Sequence, residues 1–149
     1  MRKTIIYILI TYASISACMS EKRVTFIHYE LIDYKQERVK YYFKVPKGYQ
    51  FRGIKADAEA GSEQQYWYTD SSVIYVTDFG GTINEANIRN QENAYGKRLV
   101  SDSISLNGTD SKGNHWKEIK YKGVLYGYSN VPKDKMQIFE KAIASVKNN

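Results

Sequence analysis

Residues 115–129 read HWKEIKYKGVLYGYS, and this stretch decides the fold class. His115 to Tyr121 and Val124 to Ser129 are strand-length runs rich in aromatic and β-branched residues, with the turn residues Lys122-Gly123 between them. Pro132 follows, a residue suited to the first turn of a helix. Beyond it Met136, Phe139, Ile143 and Val146 recur at spacings of three and four, with Ala142 beside them. That spacing predicts an amphipathic helix over about 133–147, with one face packed on a sheet.

Working outward, the same two periods recur. Val24 to Tyr34 alternates loosely. Arg38 to Val45 alternates cleanly, with Val39, Tyr41, Phe43 and Val45 on one face and Lys40, Tyr42 and Lys44 on the other. Pro46-Lys47-Gly48 breaks the run, and Tyr49 to Lys55 reads as a short strand. Residues 56–63 form a polar loop. Gln64–Thr69 and Ser72–Phe79 read as strands about an Asp70-Ser71 turn, and Gly80-Gly81 ends the second. Thr82-Ile83-Asn84-Glu85 has the spacing of a capping box, which predicts an internal helix over about 83–95 with Gly96 as its stop. Its apolar stripe is thin: Ile83, Ile88 and Tyr95. Lys97 to Leu106 alternates again, and Asn107-Gly108 with the polar run to Asn114 predicts a long hairpin loop. Strands, helix, strands, helix with hairpin-like connections make an α+β protein with a mainly antiparallel sheet.

The first residues tell a separate story. Met1-Arg2-Lys3 is a basic start, residues 4–12 are apolar or weakly polar, and small residues follow at Ala13, Ser14, Ser16 and Ala17. Basic, apolar, small is the order of an export signal. The uncharged stretch from Thr4 to Ser20 is shorter than the roughly 20 apolar residues a spanning helix needs. Ile15-Ser16-Ala17-Cys18 then resembles the lipobox of bacterial lipoproteins. The resemblance implies a diacylglyceryl group on the Cys18 sulfur, cleavage before Cys18, and a further acyl chain such as palmitate on the new amine. It implies a signal peptide over 1–17, a lipidated tether over 18–23 and one soluble domain over 24–149. Two or three acyl chains suffice for stable anchoring. Met19 stands where an aspartate would retain some lipoproteins in the inner membrane, so the expected address is the outer membrane, facing the periplasm.

Composition bounds the domain. Signal removal takes away Arg2 and Lys3, two of the six net positive charges. What remains can bury about two-thirds of its unfolded surface in one core. Cys18 is the only cysteine, so no disulfide framework exists. Fourteen tyrosines against five phenylalanines suit half-buried strand positions, with rings inside and hydroxyls in water. No dense basic stripe marks a nucleic-acid surface.

A Val45-Pro46-Lys47-Gly48-Tyr49 stretch after a strand, the run Trp116-Lys117-Glu118-Ile119, then Tyr126-Gly127-Tyr128, and the terminal run from Phe139 to Val146 together resemble the PsbP-like α/β/α sandwich domains of exported proteins. The resemblance covers about residues 38–147. That family shares no common activity, and its members mostly bind or assist other proteins, so no catalytic residue is implied.

Candidate chemistry is sparse. His28 and Glu30 share a strand face, and His115 lies near Glu118, but a zinc site needs three or four convergent ligands. No G-x-S-x-G elbow is present. Asp57, Glu59 and Glu63 read as a solubilising loop. Asp78-Phe79-Gly80 matches a kinase triplet by letters alone, and residues 107–111 lack the acidic spacing of a calcium loop. No metal or cofactor is expected, and the chain is expected not to be an enzyme. The expected binding surface is a wet, aromatic face carrying Tyr66 and Tyr68, with Trp116 and the 107–114 loop. It would serve a protein partner or, alternatively, a glycan or cell-wall fragment; a small hydrolase is a third reading.

Overall fold

A computed structural model describes residues 21–55 and 61–149. The signal, Cys18 and the loop acids Asp57 and Glu59 lie outside the described residues. The first strand, β1 (Glu21–Ile32), starts three positions before Val24, where the domain was expected to begin. It pairs along its whole length with β2 (Lys35–Pro46). Their connection is the dipeptide Asp33-Tyr34, with φ of 49° and 61°. Two positive φ values are what a tight hairpin turn requires. Asp33 tolerates that conformation; Tyr34 does so only at a steric cost.

Six further strands and one short element complete the sheets: β3 (Gln50–Lys55), β4 (Ser62–Trp67), β5 (Val73–Thr77), β6 (Ser103–Thr109), β7 (His115–Tyr121), β8 (Val124–Val131) and β9 (Lys147–Asn148). Six of them form an antiparallel sheet in the order β3-β4-β5-β8-β7-β6. The other sheet is β1-β2-β9, also antiparallel. The protein is therefore α+β, with two antiparallel sheets, and not the single sheet the strand count suggested.

The alternation of β2 positions the smaller sheet. Tyr41, Phe43 and Val45 are buried together with Phe26 of β1, and they meet Tyr66, Ile74, Val76, Val124 and Tyr128 of the larger sheet. The helix α3 (Met136–Ala144) inserts Phe139, Ala142 and Ile143 into the same core. A turn of 3₁₀ helix, Lys133–Lys135, precedes it, just after Pro132. The helix stops at Ala144, short of the expected 147, because the chain straightens so that Lys147 and Asn148 pair with Tyr42 and Tyr41.

The opposite face of the larger sheet is covered by residues 79–102. The helix expected over 83–95 is realised as two short ones, α1 (Glu85–Arg89) and α2 (Ala94–Val100). Asn93 breaks them apart with φ 60°. Gly96 lies inside α2 and does not stop it, and residues 97–100 are helical where alternation suggested a strand. Nor does Asn107-Gly108 turn. The strand continues to Thr109, and Asp110 makes the turn by accepting the Lys112 and Asn114 amides at 2.8 and 2.9 Å. Ile88, Ala94 and Trp116 form a second, smaller core beneath the helices.

The β7–β8 ladder is irregular between His115 and Lys117, which aligns Glu118 with Gly127. A Cβ at Gly127 would run into the Lys117 carbonyl and approach Glu118 Cα at 3.0 Å. Both obstacles are backbone and cannot swing aside. Gly127→Ala is expected to lower stability by about 3 kcal/mol in urea unfolding.

Candidate functional site

Three polar places in the described structure bear on the candidate site residues. The first lies under α1 and α2. Glu118 projects from β7 toward the helices, and Arg98 projects from α2 toward it. Their side chains are 1 % and 3 % exposed. Arg98 Nε stands 2.7 Å from Glu118 Oε1, a close ionic contact and not an aligned hydrogen bond. The other carboxylate oxygen accepts Tyr75 Oη–H at 2.6 Å and Thr82 Oγ1–H at 2.5 Å. Burial, and then the Glu118 charge, push the Tyr75 phenol well above its ordinary pKa. Arg98 also donates through Nη2 to the Gly80 carbonyl at 3.0 Å. Asn84 Nδ2 reaches Tyr75 Oη, the Lys117 carbonyl and the Tyr128 carbonyl at 3.0–3.2 Å. Lys120 closes the end of α2 by donating to the Arg98 carbonyl at 3.0 Å.

This arrangement corrects the expected capping box. The Thr82 hydroxyl is spent on Glu118, and no side chain caps α1. Glu85 turns to Arg89, one helical turn on, with Oε1 2.6 Å from Nη2. The carboxylate, guanidinium and phenol are all enclosed, so the cluster ties residues 79–102 to the sheet.

The second place joins the two sheets. His28 Nδ1 of β1 lies 2.9 Å from Asp78 Oδ2, just past β5. Asp78 Oδ1 accepts the Ser62 amide at 2.5 Å. Burial disfavours the Asp78 carboxylate, but the hydrogen bonds from His28 and Ser62 outweigh it, and its pKa is lowered. The Asp78-Phe79-Gly80 triplet thus has a structural task.

The third place is a groove of roughly 310 Å3 at the β3–β4 edge, lined by Gly48, Gln50, Arg52, Trp67, Tyr68 and Ser71. The Arg52 guanidinium lies 5.3 Å from the Trp67 ring centroid, and Trp67 Nε1 donates to Gln65 Oε1 at 2.7 Å. Here an aromatic ring and a cation face solvent together.

The aromatic face expected from Tyr66, Tyr68 and Trp116 does not form. Tyr66 is 3 % exposed and packs edge-on against Phe43 and Tyr49. Trp116 is 1 % exposed and sits on the other side of the sheet, beneath α1 and α2. Tyr68 is half-buried and donates its hydroxyl to the Pro46 carbonyl at 2.8 Å. The smaller sheet and α3 cover the face expected to be wet. Alternation does place Trp67 opposite Tyr66 and Tyr68, so the groove residue was legible; which face stays uncovered was not. Nor do the four considered metal ligands converge, because Glu118 is committed to Arg98 while His28 is bound to Asp78. Among the described residues no group of three or more His, Cys, Asp or Glu could hold a metal ion.

Comparison with protein-family models, with curated proteins and with solved structures returns no match.

Glu118→Gln is expected to cost about 3–5 kcal/mol, because it leaves Arg98 charged and buried without a counter-ion. The double replacement Glu118→Leu/Arg98→Met should recover most of that loss in chemical denaturation. For Asp78, the folded pKa is below the ordinary 3.8. Its stabilisation is therefore complete above that value and disappears as pH falls through the folded pKa. Asp78→Asn should lower stability by about 2 kcal/mol at pH 7. The gap from the parent chain should narrow steadily below pH 3.8.

Proposed function

We infer that this chain is an exported lipoprotein, held by lipid on Cys18 and presenting one non-catalytic domain that binds another protein. The observation that carries the reading is the placement of Ile15-Ser16-Ala17-Cys18 directly after a basic, apolar, small-residue signal. Glu21, the first residue of β1, follows Cys18 by three positions, so the domain is held close to the anchor. Met19 after the cysteine favours the outer membrane, with the domain in the periplasm. An immunity-type role, in which the domain blocks a toxin delivered to that compartment, is one specific form of this reading.

The non-catalytic part of the reading is supported by what the chemically capable side chains do. Glu118, Arg98 and Tyr75 are locked together in the interior, and His28 and Asp78 join two sheets. We further propose that the domain is of the PsbP-like sandwich type. This likeness is supported by helices on one face of the larger sheet and a helix beside β1–β2 on the other. A second reading, capture of a glycan or cell-wall fragment, is favoured by one feature only, the groove in which Arg52 lies over Trp67.

Mass spectrometry of the membrane fraction tests the anchor. The expected species begins at Cys18 and carries two or three acyl chains. An unmodified chain beginning at Met1 overturns the proposal.

A further inference from the structure

The outward face of β1-β2-β9 is covered by nothing among the described residues, and its charges are sorted. The inward face of the hairpin carries Phe26, Tyr41 and Phe43, and at its far end the acids Glu30 and Glu37 stand opposite one another. The outward face carries the cations. Arg23 is aligned with Lys44, Ile27 with Lys40 and Tyr29 with Arg38, and Lys147 of β9 lies beside Tyr42. The one acid of this face is Glu21, 3.5 Å from Lys44. Like charges directly opposite each other weaken a strand pair, so the hairpin carries the Arg23–Lys44 pairing at a cost to its own stability.

The cations are partly held in position. Arg23 stacks over the Tyr42 ring at 4.6 Å, and Lys44 is drawn to Glu21. Between them are apolar and aromatic side chains: half-buried Ile27, and Tyr29, 54 % exposed. At the tip Tyr34 is 98 % exposed and in the left-handed region, where Asn or Gly would be less strained. Tyr and Arg are the residue types that anchor protein interfaces. Twelve residues at ~3.3 Å each make the hairpin about 40 Å long. With a width of two to three strands, its face offers roughly half of the ~800 Å2 that one partner contributes to a standard interface.

We propose that this face, with Tyr34 at its tip, is the docking surface for the protein partner, and that the partner presents an acidic patch to it. The proposal rests on the protein-binding reading above and names its surface. Cations held by stacking and pairing match carboxylates at fixed positions; a fluid layer of anionic headgroups makes no use of such positioning.

Photo-crosslinking in the producing cells tests this with the full chain. A benzophenone-bearing residue is placed at Tyr29 and, as a comparison, at Leu99 on α2. The expected result is a discrete protein adduct from position 29 whose cross-linked peptide is acidic. The adduct should fall roughly tenfold in Arg38→Glu/Lys40→Glu, with the thermal midpoint unchanged. If that variant is poorly folded, Arg38→Gln/Lys40→Gln serves instead. An adduct that persists undiminished in the charge variant overturns the proposal, as does a lipid adduct from position 29. A protein adduct from position 99 alone overturns this surface and leaves the protein-binding reading standing. No protein adduct from either position overturns both.

Discussion

The buried pairing of Glu118 with Arg98 is the constraint on which the described architecture depends. Two charges withdrawn from water cost least when each is neutralised and its remaining polar atoms are engaged. Glu118 gathers Arg98, Tyr75 and Thr82 from three separate segments of chain, while Arg98 gives Nη2 to Gly80 and leaves Nη1 without a partner among the described residues. Asn84, two residues beyond Thr82, strengthens the same tie by bonding two strand carbonyls and the Tyr75 hydroxyl. The helices α1 and α2 are too short to be stable alone, and their own apolar core is small. It is the ion pair and its donors that hold them to the sheet.

The other face of that sheet is held differently. There the attachment is apolar: Phe26, Tyr41, Phe43 and Val45 from the hairpin, and Phe139, Ala142 and Ile143 from α3. The contact of His28 with Asp78 adds one directional tie to a contact that hydrophobic burial alone would leave free to slide. One sheet thus carries a polar attachment on one side and an apolar attachment on the other.

The legible parts of this fold were those where a local period reports burial. The alternation of residues 38–45 gave the buried face of β2 residue by residue, and Lys122-Gly123 turned as expected, with φ of 48° and 78°. The illegible parts were those decided by distant partners. Thr82 followed by Glu85 looks like a cap until Glu118, 36 residues on, claims the hydroxyl. Asn107-Gly108 looks like a turn until Asp110 offers a better one. Tyr66 and Trp116 were read as candidates for a surface because aromatic strands are ambiguous; which face a second sheet will cover is not written in the strand itself. The grouping of Lys40 and Lys44 on one side was present in the alternation, but Arg23 was placed in the tether, and only the β1–β2 register brings it to the same face.

The pairing of β2 with β9 bears on the timing of folding. The Lys44 amide donates to the Ser145 hydroxyl across 101 residues of sequence, and Tyr41 and Tyr42 are joined by Lys147 and Asn148. The inner face of the hairpin likewise rests on Phe139 and Ile143. The hairpin is local and quick to form, yet its core cannot close until a hundred further residues have followed it. A chain made from its first residue onward therefore keeps the inner face of this hairpin uncovered until its last turn of helix is complete.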